Sequence, residues 1–166
     1  MKKGKLYRIS LWIIGTFLIC GLLFLLLWVW GLMDALQESW WETLKVLGGF
    51  FIMPLPFIAY SIYLWKKRNE GKGFYWDEEG IVIDLKGHKV YWEEIEEIQF
   101  RQLWSLPWTK STVIYPHYTN HEKIRIRRNK WMPIPGHSID WILIEKPKEY
   151  HENIMKVWEE KQNFLE

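Results

Sequence analysis

Two long stretches without a charged residue constrain this chain more than anything else in it: Ile9 to Gly31 is 23 residues, and Val46 to Trp65 is a further 20. At a rise of about 1.5 Å per residue, either run crosses the roughly 30 Å hydrocarbon layer of a bilayer as a helix. A helix apolar on every side must be covered all round, and a chain of 166 residues has too little left over to cover two of them in water. The expectation is an integral membrane protein with spans at 9–31 and 46–65.

Charge sets the expected orientation. Lys2, Lys3, Lys5 and Arg8 precede the first run as a basic tail (1–8), and Lys66, Lys67 and Arg68 follow the second at once. The connecting segment 32–45 carries Asp34, Glu38 and Glu42 against Lys45 alone. Basic flanks stay on the cytoplasmic side, which predicts a transmembrane hairpin in the cell membrane with both termini in the cytoplasm and the short acidic loop outside. Trp12, Trp28, Trp30, Trp40, Trp41 and Trp65 lie near the ends of the two runs, where an indole keeps its ring in apolar surroundings and its N–H among headgroups.

A cleaved leader is the rival reading of the first run. It fails on length, because a signal core holds about 7 to 15 apolar residues, and no small-x-small site follows Trp30. Leu18-Ile19-Cys20-Gly21 has the outline of a lipoprotein box, but Ile19 stands where a small residue is needed. Cys20 is the single cysteine, which excludes an intramolecular disulfide. Pro54 and Pro56 predict a kink in the second span, and Gly15, Gly21, Gly48 and Gly49 invite close helix approach. No charged residue lies at membrane depth to mark an ion or proton path.

From Lys66 onward the texture changes from continuous to alternating, with 66–72 as linker and 73–166 as a cytoplasmic domain. This part has 17 basic and 17 acidic residues, and a neutral domain is a poor nucleic-acid binder. Short runs rich in β-branched and aromatic residues, bounded by turn signals, predict strands at Gly73–Asp77, Ile81–Leu85 and His88–Trp92. A bulge or turn then precedes a fourth strand through Ile95, Ile98 and Phe100. Val113–Tyr115, Lys123–Arg128 and Ile139–Glu145 complete seven, with 103–120 irregular around Pro107 and Pro116. Tyr150, Ile154, Val157, Trp158 and Leu165 recur at helical spacing after Pro147, predicting a C-terminal amphipathic helix.

Two segments carry a resemblance. Gly73-Phe74-Tyr75-Trp76-Asp77-Glu78-Glu79-Gly80-Ile81-Val82-Ile83, followed by Val90-Tyr91-Trp92-Glu93-Glu94-Ile95-Glu96-Glu97-Ile98, resembles the opening of bacterial pleckstrin-homology-like domains, and Ile142-Leu143-Ile144 before Pro147 and Tyr150 resembles their ending. With two preceding spans, the whole chain is similar in layout to small membrane proteins of Gram-positive bacteria. The resemblance implies an α+β membrane protein: a two-helix hairpin, then a barrel of about seven antiparallel strands capped by the last helix. It brings no assigned reaction, cofactor or ligand.

The candidate binding residues are Lys123, Arg125 and Arg127, with Arg128 and Lys130 beyond them. On a strand the first three share one face, which would meet anionic lipid headgroups at about 1 kcal/mol per cation. The alternative is a solvated face, or one paired with Glu93, Glu94, Glu96 or Glu97. His117 and His121 have the spacing of helical metal ligands, but the surrounding Pro, Tyr, Thr and Asn read as loop, and no metal site is expected. His88, His137 and His151 read as surface or capping residues. Trp76, Trp92, Trp104, Trp108, Trp131, Trp141 and Trp158 suit a domain core, with 104–108 and 131–135 as candidate loop tips at the bilayer. No Gly-rich phosphate loop, nucleophile motif or HExxH is present, so no catalytic residue is named. The expected role is non-enzymatic: a tethered module for a protein partner or lipid headgroups, or alternatively an accessory or immunity-type subunit that packs through its hairpin against a larger membrane complex.

Overall fold

The computed structural model describes residues 4–38, 40–41, 43 and 54–163. The chain divides into two compact units. One is the segment Leu11–Asn69; the other joins the residues up to Ser10 with those from Glu70 onward.

In the first of these, α1 (Leu11–Glu38) is 28 residues long, about 42 Å at helical rise, and is long and apolar enough to cross a membrane. Leu22, Leu23, Leu26, Leu27 and Trp30 are among its exposed side chains. The second helix, α2 (Pro54–Asn69), holds the latter part of the second apolar run. Residues 46–53, and with them the backbone leading into the predicted kink, lie outside the described residues. Among those described, Pro54 and Pro56 both lie within the helix. The helices lie antiparallel. Ser61 Oγ donates to the Ile14 carbonyl at 2.9 Å, while Phe17 meets Tyr60 at 5.0 Å and Phe24 meets Phe57 at 5.4 Å between centroids. A Cβ on Gly21 would collide with Ile58, so the expected close approach is real there, whereas Gly15 faces nothing.

The other unit begins earlier than expected. Tyr7–Arg8 form β1, paired antiparallel with β2 (Gly73–Phe74): Tyr7 stands opposite Phe74, and Arg8 opposite Gly73. Tyr7 and Ile9 are buried while Arg8 and Leu6 are not, the period-two pattern of a half-buried strand. The stretch read as a basic tail therefore contributes a strand, and the domain is built from both flanks of the apolar segment. The register also puts Ser10 and Gly71 at the same end of the β1–β2 ladder.

β3 (Gly80–Val82) pairs with β4 (Lys89–Tyr91). A 3-10 turn, Trp92–Glu94, then leads into β5 (Ile95–Arg101), with a register slip between Ile95 and Glu97 where the sequence spacing changes. β5 pairs with β6 (Ser111–Pro116), and β6 with β7 (His137–Asp140). Single bridges connect neighbouring ladders, Trp76 with Ile81 and Ile9 with Ile144. The described strands thus form two-, two- and three-stranded antiparallel sheets, not the closed seven-stranded barrel expected.

One predicted strand is a helix. His121–Arg127 form α3, in which Ile124 is buried and Ile126 is 66% exposed, so the alternation of Lys123–Arg127 has no two-faced sheet to serve. Glu122 and Arg125 pair one turn apart, and Asn129 takes the left-handed φ of 50° that ends the helix. The predicted seventh strand is also shorter than expected, giving way at Trp141–Leu143 to a 3-10 turn.

The C-terminal helix α4 (Pro147–Asn163) forms where the periodicity put it, and buries Tyr150, Ile154 and Trp158. Each side chain contributes about 2 kcal/mol of burial. Trp158 stacks on Trp92 at 6.3 Å, and Tyr150 meets Tyr7 edge-on at 5.1 Å, tying α4 to β1. Leu165 lies outside the described residues.

Candidate functional site

The five candidate cations do not form one surface. Arg127 turns inward: its Nη1 and Nη2 donate to Glu94 at 3.0 and 2.6 Å, Nη2 also donates to the Lys89 carbonyl at 2.9 Å, and the guanidinium lies 4.4 Å from the Tyr91 ring centroid. Glu94 is buried and also accepts from the Tyr91 N–H at 3.0 Å. The pair links α3 to the turn before β5, one of the carboxylate pairings weighed from sequence.

Arg128, half-buried, belongs to a second network. Its Nη1 lies 2.7 Å from His137 Nδ1, and its Nη2 donates to Asp84 Oδ2 at 3.4 Å. Asp84 also binds the His88 ring at 2.7 Å and, through Oδ1, accepts from the N–H groups of Lys86 and His88, closing the β3–β4 turn. A guanidinium can only donate, so His137 Nδ1 is the acceptor and its proton resides on Nε2. Burial, followed by the nearby Arg128 charge, lowers the His137 pKa to about 4. Burial opposes ionisation of Asp84, but its hydrogen bonds from His88 and the turn backbone prevail and hold it below the usual carboxylate range.

Arg125 is spent on Glu122 and on the Lys130 carbonyl at 3.2 Å, just past the end of α3. The Lys123 and Lys130 ammonium groups alone have no ion pair among the described residues. Of the three histidines read as surface or capping residues, His137 departs from expectation. His137 is buried, His88 is held by Asp84, and His151 lies 3.1 Å from the Thr112 hydroxyl, its pKa lowered by burial. His117 engages Thr119, and His121 donates to the Pro116 carbonyl at 3.0 Å. Nothing in the sequence signals the Asp84–Arg128–His137 grouping, since its members meet only through the fold; the Lys86-Gly87 turn just after Asp84 is the one local cue.

The aromatic residues sort cleanly. Trp76, Trp92 and Trp158 are core, whereas Trp104, Trp108 and Trp131 are 83, 63 and 91% exposed. Trp104 and Trp108 lie on the β5–β6 loop and Trp131 on the approach to β7. A groove of about 880 Å³ runs between these segments, bordered by Leu103, Thr109, Tyr115 and Pro135. No protein-family model, curated protein or solved structure matches this chain.

Proposed function

We propose that this is a non-catalytic membrane-anchored protein of the bacterial cell membrane. Its apolar segment crosses the bilayer twice and holds a cytoplasmic, pleckstrin-homology-like domain that docks lipid headgroups or a membrane-protein partner at the surface. The carrying observation is the β1–β2 ladder. Tyr7 and Phe74 are partners in one folded unit although the apolar segment lies between them, and two strands that share hydrogen bonds occupy the same side of a membrane. A segment that enters the bilayer after Ser10 must then return before Gly73, which needs an even number of crossings. Charge asymmetry independently favours the cytoplasm for both flanks. Exposed leucines along α1 and its antiparallel contact with α2 fit lipid as the surroundings. The pleckstrin-homology-like reading draws on the capping helix α4 and on the bridges that connect the small sheets.

Tethering explains how weak contacts suffice, because a domain fixed to the bilayer meets its surface at high effective concentration. The test is topology in cells. A maleimide label that cannot cross membranes should reach a cysteine at Glu38 from outside, in a Cys20→Ser background, and should fail to reach one at Lys5 or Glu160. Labelling of Lys5 and Glu160 positions on opposite sides would defeat the reading, as would release of the chain from membranes by carbonate.

A further inference from the structure

We propose that the β5–β6 loop, residues 102–110, is a second membrane contact: Leu103, Trp104 and Trp108 enter the headgroup–acyl boundary of the same bilayer that α1 enters. This rests on the membrane-anchored reading above. The location comes from bonds within the domain. The Ser10 N–H donates to the Leu143 carbonyl at 2.9 Å, and the Trp141 N–H donates to the Lys110 carbonyl at 2.9 Å. The 3-10 turn Trp141–Leu143 is thereby clamped between the base of the loop and the residue that precedes α1. Counting Cα spacings along that path puts Lys110 within about 15 Å of Ser10. The strand register agrees, since Ser111 opposes Asp140 at the loop end of the sheet and β7 runs from there into the same turn.

The loop is built to hold apolar side chains in the open. Thr109 Oγ accepts from the Leu103 N–H at 3.0 Å and lies 2.9 and 2.7 Å from the Leu103 and Leu106 carbonyls, pinning both ends of the turn. Trp104 and Ser105 both sit at left-handed φ, 49° and 56°, a conformation that costs L-residues energy and that projects the indole outward. Trp104, Trp108 and Leu103 are 83, 63 and 58% exposed, three large apolar side chains gathered on one loop. The charge fits an anionic lipid surface: Arg101 and Lys110 flank the loop, and no acidic residue lies between them. Tryptophan with an apolar body and a polar N–H is the side chain suited to that boundary.

The experiment uses the full chain with Cys20→Ser, reconstituted in phosphatidylcholine vesicles containing phosphatidylglycerol. An environment-sensitive fluorophore is placed at Trp104→Cys, at Trp108→Cys or, as control, at Glu160→Cys, far along α4 near the Glu78 turn that Lys161 reaches. The expected result is blue-shifted emission at 104 and 108, with about twofold or greater quenching by lipid bearing a nitroxide near the glycerol, and little at 160. Quenching at 104 and 108 no greater than at 160, in vesicles from which carbonate does not strip the protein, overturns the proposal and leaves the loop to water or a protein partner. If carbonate strips the chain, the anchored reading fails, and this proposal with it.

Discussion

Lys123 and Arg127 stand one helical turn apart in α3 and have opposite fates. Arg127 reaches Glu94, which is buried and holds the Tyr91 N–H as well, while Lys123 ends in solvent with no ion pair among the described residues. Removing one member of a pair on this side of the solvent boundary leaves the other without compensation. Glu94→Ala should therefore lower stability by about 2–4 kcal/mol, with Arg127→Met somewhat milder because its side chain is part-exposed. Lys123→Gln should change stability by less than about 0.5 kcal/mol. Thermal unfolding of the detergent-solubilised chain, followed by tryptophan fluorescence, separates these outcomes. His137 supplies a pH-dependent counterpart. Its folded pKa, lowered to about 4 by burial and then by Arg128, lies below the unfolded value of about 6.5. Between those two values the unfolded chain binds the extra proton, so stability falls as pH drops from about 6.5 towards 4 and levels off below. The full effect is on the order of 3 kcal/mol. His137→Gln keeps an acceptor for Arg128 without the titration, and its melting midpoint should lose most of that acid slope. An unchanged slope would assign the acid limb to the carboxylates instead.

At the scale of elements, β1 makes the sharpest demand. Gly73 lies opposite Arg8, and a Cβ there would strike the Tyr7 carbonyl. Backbone cannot move aside as a flexible side chain can, so Gly73→Ala should lift β1 away and expose residues 4–10 to protease. Gly71→Ala is the control: its φ of 70° makes it strained, by about 1 kcal/mol, but nothing lies within contact distance of the added methyl. Equal protease resistance in both variants would mean that β1 tolerates the clash. The same elements explain what sequence reading reached and where it stopped. α4 is legible because Tyr150, Ile154 and Trp158 recur four residues apart, at helical spacing, and Pro147 marks the start. The turn before β5 was legible from the break in apolar spacing after Trp92. β1 was not, because a two-residue strand beside lysines looks like a membrane flank and its partner is remote in sequence. α3 reads as a strand in sequence because Lys123–Arg127 satisfies a period of two over too few residues to exclude a period of 3.6; the Glu122–Arg125 pair one turn apart and the left-handed Asn129 that ends the helix go with the helical period. The networks around Glu94 and His137 depend on tertiary contact and leave no local pattern.

For the whole molecule, the decisive property is that the apolar segment is inserted into the domain, not placed before it. Residues 70–166 alone lack β1, and with it the burial of Tyr7 and Ile9 against Phe74, Tyr150 and Ile144. At about 2 kcal/mol per side chain, plus the hydrogen bonds of the ladder, that loss takes a large share of the 5–15 kcal/mol that holds a domain together. Residues 70–166 expressed by themselves should be poorly folded and prone to aggregate. The remedy follows from the register. Ser10 and Gly71 leave the β1–β2 ladder from the same end, where paired strands lie about 5 Å apart, so a hairpin loop of about four residues can replace Leu11–Asn69. That shortened chain should be soluble without detergent, and it should show the near-ultraviolet signal of a packed Trp92–Trp158 stack and a cooperative melt. Two results would count against this architecture: residues 70–166 folding equally well without β1, or the shortened chain failing to fold despite keeping β1. The first would make the pairing incidental to the domain; the second would mean that the apolar segment holds the two flanks together, and not the flanks the segment.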